Sequence, residues 1–138
     1  MKTNPQNLKF KKYHKPSISL DKNNVNFKLR FGSLGLQTTS SGPLTFSQIE
    51  SGRKTLRRVL KKTGFLWVRV FPYSPLTKKP LSVRMGKGKG PVNSWVCVTS
   101  AGQIVYELKN ISFSLAKHAI RSAVKKLPIK GGLIKKVF

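Results

Sequence analysis

The chain has 138 residues, which is enough for one domain with a modest core but not for two independent ones. Lysine and arginine outnumber aspartate and glutamate by 28 to 3, which gives a net charge of +25. Repulsion on this scale needs a polyanion to neutralise it. Three scattered carboxylates, two histidines and one cysteine provide neither an acid–base pair nor a metal-ligand set. The composition therefore predicts no enzyme, no metal, no cofactor and no small-molecule substrate.

The cellular compartment is constrained by three further features. The single cysteine, Cys97, lies in an apolar run and is predicted to be a buried thiol, which suits a reducing compartment. The N-terminus has no apolar signal-peptide core and no arginine before Arg30, so no cleavable targeting segment is predicted. The sequence contains no apolar run of about 18 or more residues and no long amphipathic helix with large apolar residues. A membrane is therefore not a predicted partner.

Residues 1–30 are predicted to form a basic extended arm, separate from a single α+β domain over residues 31–138. Pro5 and Pro16 discourage helix, and the polar composition predicts disorder when the arm is alone in water. Phe10 and Tyr13 are suited to stacking on unpaired bases. The neighbouring residues predicted to contact RNA are Lys9, Lys11, Lys12, His14 and Lys15.

The first half of the domain predicts a strand and then a helix. Residues 31–39 alternate with period two, as in a strand with one inward face. Residues 40–43 break the chain, and Thr45 with Gln48 forms a capping box for a helix from Phe46 to about Thr63. Gly52 interrupts the apolar stripe, either permitting close packing or costing about 1 kcal/mol. Gly64 is placed as the left-handed C-cap.

The second half predicts shorter strands and a second helix. The strands are expected at residues 65–71, 81–85, 92–99 and 104–108, the last two joined through a turn at residues 100–102. Trp67 and Trp95 lie in these runs and are expected in the core. Ser112 is a candidate N-cap for a helix that Pro128 stops, and residues 129–138 add an edge strand. The predicted class is α+β, with two helices packed on a mostly antiparallel sheet of five or six strands.

The first helix carries a run of cations with little compensation. Pairs such as Lys54 with Arg58 are four residues apart, which costs a few tenths of a kcal/mol each. Glu50 is the one acidic residue in this helix, and it and His118 are expected on solvated helix faces. Solvated faces usually mix charges of both signs, so we predict a phosphate-backbone contact. The predicted contacts are Arg53, Lys54, Arg57, Arg58, Lys61 and Lys62.

Glycine and lysine alternate in residues 84–90. The segment lacks the spacing and the following helix of a nucleotide-binding P-loop. Glycines let the backbone approach phosphates closely, and lysines add charge without a fixed geometry. We predict a flexible finger inserted into packed RNA, with a mobile surface hairpin as the alternative. The loop residues are Arg84, Met85, Gly86, Lys87, Gly88, Lys89 and Gly90.

These blocks together closely resemble the family of large-subunit ribosomal protein sixteen. The residues that carry the resemblance are Trp67-Val68-Arg69-Val70-Phe71-Pro72, Lys79-Pro80-Leu81, Arg84 to Gly90 as quoted above, and Trp95. The likeness extends to Lys9-Phe10-Lys11-Lys12, Phe31-Gly32, Ile49-Glu50, Val105-Tyr106-Glu107 and Lys126-Leu127-Pro128-Ile129-Lys130. The chain departs from the family pattern at residues 16–18 and 23–24 and at Gly131-Gly132, where β-formers are expected.

The resemblance implies a helix-covered antiparallel sheet near the base of the central protuberance. Large-subunit rRNA and other ribosomal proteins are the implied partners, and the glycine–lysine loop is directed toward the A-site tRNA and the peptidyl-transferase region. Lysine, asparagine, isoleucine and phenylalanine usage is typical of an AT-rich genome. We therefore expect a mitochondrial ribosome in the matrix, with a plastid-type organelle or a bacterial cytoplasm as alternatives.

Two other classes of function remain open from the residues alone. One is a histone-like protein that compacts DNA. The other is a cationic membrane-active protein or an assembly chaperone. Preference for duplex DNA over rRNA would indicate the first, and leakage of liposomes would indicate membrane activity.

Overall fold

A computed structural model describes residues 5–6, 8–12, 14, 27–61 and 63–136. The described elements, in chain order, are β1 (Leu34–Thr38), β2 (Gly42–Thr45), α1 (Phe46–Leu60), β3 (Phe65–Val68), β4 (Ser74–Thr77), β5 (Val92–Thr99), β6 (Ile104–Lys109), α2 (Phe113–Val124) and β7 (Gly131–Lys135). One sheet has the strand order β3-β6-β1-β7 and the other β2-β5-β4, with antiparallel pairing throughout. The α+β class is confirmed, with two sheets in place of the one expected.

The four-stranded sheet has an apolar inner face and a different outer face. Leu36 pairs with Tyr106, which pairs in turn with Val68, so these three side chains share one face. The Tyr106 hydroxyl donates to the carbonyl of Ile49 in α1 at 2.7 Å, which places α1 on that face. The next residues along the strands, including Trp67 and Glu107, therefore point to the opposite face. This alternation places Trp67 and Glu107 on the outer face of the sheet.

Helix α1 begins where the capping box predicts. The backbone N–H of Gln48 donates to Oγ1 of Thr45 at 3.4 Å, and the N–H of Thr45 donates to Oε1 of Gln48 at 2.9 Å. The helix ends at Leu60, three residues before the expected Thr63. Its C-cap is Lys61, in the left-handed region at φ 44°, so the prediction of Gly64 as the cap was wrong. The chain turns earlier because the N–H of Thr63 donates to the Leu60 carbonyl at 2.8 Å.

Gly52 is the point of closest approach between α1 and the sheet. A Cβ atom at this position would lie 2.4 Å from the hydroxyl oxygen of Tyr106. Of the two possibilities predicted for Gly52, close packing against the sheet is therefore the one that the structure shows. Ile49, Leu56 and Leu60, which belong to the apolar stripe of the helix, are fully buried as well.

The strand predicted at residues 81–85 was wrong. The neighbouring segment Ser74–Thr77 forms β4 instead, because it pairs with β5. Residues 81–85 pair with no strand of the described residues, and Leu81 is 99% exposed. A second strand, β2, occupies Gly42–Thr45, where a break was expected, and Pro43 is tolerated because β2 is an edge strand.

Strands β5 and β6 are joined by the predicted turn but do not pair with each other. They belong to different sheets, so the turn at residues 100–102 is a corner. Thr38 fixes it, because its hydroxyl donates to the Ser100 carbonyl at 2.7 Å and its carbonyl accepts from the Gly102 N–H at 2.7 Å. A short connection between two strands therefore does not by itself identify a hairpin, because the two strands can belong to different sheets.

The C-terminal edge strand is confirmed as β7, which pairs with β1. It begins with Gly131, where the family resemblance led us to expect a β-former. A Cβ on Gly131 would lie 2.7 Å from the carbonyl oxygen of Gln37, so the neighbouring backbone leaves no room for a side chain. Gly131 and Gly132, which depart from the family pattern, thus still form part of strand β7.

Cys97 is buried as predicted, at 2% exposure, and burial raises the pKa of its thiol to about 11. Trp67 and Trp95 differ from expectation, since both are half-buried and neither belongs to the core. For Trp67 the reason is the strand register, which turns its ring to the outer face of the four-stranded sheet. His118 is exposed, as expected.

Candidate nucleic-acid interface

The basic face of α1 lies opposite its buried stripe. Lys54, Arg58 and Lys61 are exposed, and Arg57 is half-buried with Nη1 donating to the Gly64 carbonyl at 3.5 Å. At 3.6 residues per turn these positions fall within about 100° of one another. Four of the predicted cations thus share one surface, while Lys62 lies outside the described residues.

Arg53 differs from the other cations of the helix because it has an acidic partner. Its guanidinium donates to both oxygens of the Glu50 carboxylate, at 2.6 and 2.9 Å. The hydrogen bond from Arg53 holds the pKa of Glu50 below its ordinary value. Glu50 was expected on a solvated face, but its side chain is only 19% exposed. Arg53 therefore offers less uncompensated charge than its neighbours.

The glycine–lysine loop is exposed from Arg84 to Lys89. Gly86, Lys87 and Gly88 all have positive φ, at 99°, 54° and 81°. A Cβ on either glycine would have no heavy atom within 4 Å, so these glycines serve the backbone conformation and not packing. Lys79 donates from Nζ to the carbonyl of Gly86.

The base of this loop is closed by backbone contacts. The N–H of Lys78 donates to the Pro91 carbonyl at 3.1 Å. Gly90 is half-buried, and a Cβ there would lie 2.9 Å from the carbonyl oxygen of Lys78. The loop is therefore an exposed tip on a closed base that joins β4 to β5.

The structure brings the arm and the loop together. Nζ of Lys12 donates to the carbonyl of Lys89 at 3.2 Å, across 77 residues of sequence. Phe10 and His14 line the same open cleft, which has a volume of about 360 Å³. Phe10 is 67% exposed, with Nζ of Lys9 5.6 Å from its ring centroid. Lys11 is exposed, whereas Tyr13 and Lys15 lie outside the described residues.

The α1 face and the arm–loop cleft belong to different parts of the fold. Helix α1 lies between β2 and β3 in the chain, whereas the loop connects β4 to β5. The cations predicted from the sequence thus come from separate elements of the fold. Cations carried by several elements suit a partner that contacts the protein on several sides.

One functional feature was missed by sequence reasoning: the carboxylate of Glu107. This side chain is fully buried and accepts hydrogen bonds from the backbone N–H groups of Phe31 and Gly32, each at 2.7 Å, and of Arg30 at 3.2 Å. It also forms an ion pair with Arg69. Burial raises the pKa of Glu107, but these hydrogen bonds outweigh it and lower the pKa below the ordinary value. Glu107 therefore fastens the end of the arm to the sheet.

The residues on the outer face of the sheet could have been identified from alternation along β3. Phe65, Trp67 and Arg69 occupy every second position, and Trp67 pairs across the strands with Glu107. The ring of Phe31, the first residue after the arm, stacks on Trp67 with centroids 6.0 Å apart. An aromatic cluster is thus present on the outer face of the four-stranded sheet.

Among residues 5–6, 8–12, 14, 27–61 and 63–136, no three His, Cys, Asp or Glu side chains are grouped as a metal site would need. In that described part of the chain, neither helix is both long and apolar enough to span a bilayer.

This fold, with cations on several elements and both described glutamates held in ion pairs, defines a basic α+β protein built for an anionic partner. The family model described as "Ribosomal protein L16p/L10e" matches residues 5–134. The chain belongs to this family, and the resemblance recognised from its motifs is confirmed. Its role is accordingly structural and not enzymatic.

Similar proteins named "Large ribosomal subunit protein uL16" come from bacteria. Those of Psychrobacter arcticus and Psychrobacter cryohalolentis are each 45% identical over 132 residues, covering 96% of this chain and 96% of the relative. The protein of Staphylococcus aureus strain Newman is 39% identical over 132 residues, covering 96% of this chain and 91% of the relative. The similarity thus extends over almost the whole length of this chain and of each relative.

Proposed function

We propose that this protein is a constituent of the large ribosomal subunit that binds rRNA near the central protuberance and directs its glycine–lysine loop toward the A-site tRNA and the peptidyl-transferase region. Its relatives carry the name of a large-subunit protein. Ribosomal proteins adjoining it are the expected protein partners. The role in translation that we propose is to hold RNA segments in place, in keeping with the structural role of the family.

The observation that carries this proposal is the contact between Lys12 and the Lys89 carbonyl. It places the cations of two distant segments around one cleft, together with the exposed ring of Phe10. Like charges brought together in a free protein repel, so this arrangement is favourable when anionic phosphates lie between them. The open glycine backbone of the loop lets such phosphates approach closely.

The α1 surface supports a second rRNA contact. Lys54, Arg58 and Lys61 project from the side of the helix that makes no contribution to the core. The charges are spaced three and four residues apart, an arrangement that weakens an isolated helix. Neutralisation by RNA phosphates offsets that cost.

The division into an arm (residues 1–30) and a domain (residues 31–138) is part of the proposal. The N–H of Arg30 already contacts Glu107, and a side-chain atom of Leu29 lies close to Gly35. We expect the arm, which already contacts the loop through Lys12, to gain further protection when RNA is bound. Limited proteolysis of the free protein and of an rRNA complex would compare their protection.

The organellar location rests on composition. Lysine and asparagine usage is typical of an AT-rich genome, and on this ground we propose a mitochondrial ribosome in the matrix, with a plastid-type organelle or a bacterial cytoplasm as alternatives; the relatives compared above are bacterial. Fractionation of cells that express a tagged chain separates these cases. Recovery of the tag with mitochondrial large subunits supports the first, and recovery with bacterial ribosomes overturns it.

The α1 surface is tested by replacing Lys54, Arg57, Arg58 and Lys61 with glutamine. We expect equal or slightly higher stability of the free fold and impaired docking onto large-subunit rRNA. The control removes four charges from α2 and the residues after it, through Lys117→Gln, Arg121→Gln, Lys125→Gln and Lys126→Gln. An equal loss of rRNA affinity in the two variants would mean that binding depends only on total charge and not on the α1 surface. Normal assembly of the α1 variant would remove that surface from the interface.

Salt dependence separates phosphate recognition from other forms of contact. Each phosphate neutralised contributes a slope of roughly 0.7 to 0.9 in log affinity against log salt concentration. The α1 variant should bind rRNA with a smaller slope than the wild type. Competition with duplex DNA in the same assay tests the histone-like alternative, because stronger binding to DNA than to rRNA fragments would favour it.

A further inference from the structure

Three aromatic rings form a short stack on the outer face of the four-stranded sheet. Trp67 lies between Phe31 and Phe65, with ring centroids 6.0 and 5.8 Å away and interplanar angles of 26° and 27°. These offsets are typical of stacked aromatic pairs. The three rings come from the segment that precedes β1 and from the edge strand β3, and together they form a single platform.

The platform is exposed at both of its ends. Phe31 is 48% exposed and Phe65 is 56% exposed, although both are large apolar side chains. The strand register explains this exposure, because Phe65 and Trp67 point away from the helices that cover the inner face. The rings therefore stabilise the core little, and their surface remains available to a partner.

The surroundings of the platform are cationic. Lys109 pairs across the strands with Phe65 and is exposed on the same face. The guanidinium carbons of Arg30 and Arg69 lie 5.7 and 5.3 Å from the ring centroid of Phe31. The nearby carboxylate, Glu107, is fully buried and paired with Arg69, so it presents no negative charge to a partner.

We propose that the Phe31–Trp67–Phe65 platform binds an unpaired RNA base, which stacks on the exposed ring of Phe65 while Lys109, the cross-strand neighbour of Phe65, contacts the adjoining phosphate and Arg30 adds positive charge at the Phe31 end. Stacking needs a base with a free face, and cations at the rim favour a polyanion over an apolar protein surface. This inference rests on the proposed rRNA-binding function and adds a site separate from α1 and the loop. Its ligand is single-stranded RNA, not a duplex.

A stacked base and a duplex backbone make different demands on the site. A base in a duplex is already stacked on both sides, so only a bulged, looped or terminal base can use the Phe65 ring. Loss of that ring should therefore weaken binding of single strands and leave the phosphate contacts of duplex RNA unchanged. A ring that merely supports the fold would change both affinities alike.

The experiment uses a single-stranded RNA oligonucleotide with a central 2-aminopurine, whose fluorescence is quenched by stacking, and a duplex of the same length. Both are titrated against the full chain carrying Phe10→Ser and Tyr13→Ser, because the arm aromatics are themselves predicted to stack. Phe65→Ser is the test variant, and Phe65→Trp retains an aromatic ring. Phe113→Ser is the matched control, since Phe113 is 54% exposed at the start of α2.

We expect Phe65→Ser to lower the affinity for the single strand about 5- to 100-fold and to abolish the quenching. Its affinity for the duplex should stay the same, and Phe65→Trp and Phe113→Ser should behave as the parent. Unchanged quenching in Phe65→Ser, or an equal loss for single strand and duplex, overturns the inference.

Failure of this inference is distinguishable from failure of the proposed function. If the parent protein shows no quenching but still binds rRNA fragments in a salt-dependent manner, only the base-stacking site is overturned. The platform would then be a surface for contact with another protein. Absence of binding to any rRNA fragment overturns both.

Discussion

Glu107 and Arg69 form a buried ion pair that connects the middle of β6 to the residue following β3. Their side chains are 0% and 9% exposed. The carboxylate also accepts backbone N–H groups from Arg30, Phe31 and Gly32, so the pair fixes the course of the chain that enters the domain. A charge pair of this kind is stable only while all its partners are present, because each ion is withdrawn from water.

Replacement Glu107→Gln should therefore be strongly destabilising. It leaves the Arg69 guanidinium buried without a counter-ion, which costs about 3–5 kcal/mol in free energy of unfolding. Urea denaturation measures this change. Glu50→Gln is the control, because its partially exposed pair with Arg53 should contribute about 1 kcal/mol or less. Similar losses for the two variants would contradict the structural role of Glu107.

The same carboxylate should make stability depend on pH. The folded pKa of Glu107 lies below the ordinary value of about 4.3, because the amide and guanidinium hydrogen bonds outweigh burial. Its stabilising contribution is therefore complete above that ordinary pKa and is lost as the pH falls through the lowered one. Urea midpoints measured between pH 6 and pH 3 should fall steeply in the wild type. A fall of the same size in Glu107→Gln would assign the effect to other groups.

Gly52→Ala should destabilise the fold despite the higher helix propensity of alanine. The added Cβ would lie 2.4 Å from the Tyr106 hydroxyl oxygen, and overpacking of this kind costs about 1–3 kcal/mol. Tyr106→Phe alone should lose about 1 kcal/mol with the hydrogen bond to Ile49. The double variant should be more stable than the sum of the two changes predicts, because the clashing oxygen is gone. Strict additivity in thermal melts would mean that the helix shifts to avoid the contact.

Charge removal in the loop should affect translation more than assembly. Arg84→Ala with Lys87→Ala and Lys89→Ala removes three exposed cations and no core contact. Subunits carrying this variant should assemble but accommodate aminoacyl-tRNA poorly, most visibly at higher salt. The matched control is Lys117→Ala with Arg121→Ala and Lys125→Ala, which removes the same residue types from α2 and its C-cap. Equal rates of peptide-bond formation in loop-variant and wild-type ribosomes would favour the alternative that the loop is a mobile surface hairpin.

Cys97 should react slowly with thiol reagents in the folded protein. Burial raises the pKa of its thiol to about 11, compared with about 8.5 for a free cysteine. At pH 8 the thiolate fraction is therefore lower by about a hundredfold or more, and access is restricted as well. Alkylation followed by mass spectrometry in native buffer and in urea measures the ratio. Rapid labelling without denaturant would show that β5 opens readily.

The sequence by itself determined the features that depend on neighbouring residues. Thr45 and Gln48 are three residues apart, so the capping box and the start of α1 were readable directly. The apolar stripe of that helix and the basic face opposite it follow from its 3.6-residue period. The excess of cations and the motifs around Arg84 to Gly90 identified the family and the class of partner, because these signals are local or compositional.

Only the tertiary structure decided the features that depend on which strands pair and in which register. Residues 81–85 resemble a strand as closely as Ser74–Thr77 does, but only the latter meets β5. The register of β3 on β6 turned Trp67 outward and placed Glu107 beneath residues 30–32. The meeting of Lys12 with Lys89 spans 77 residues. Such contacts arise from the packing of whole layers, and no local pattern of side chains encodes them.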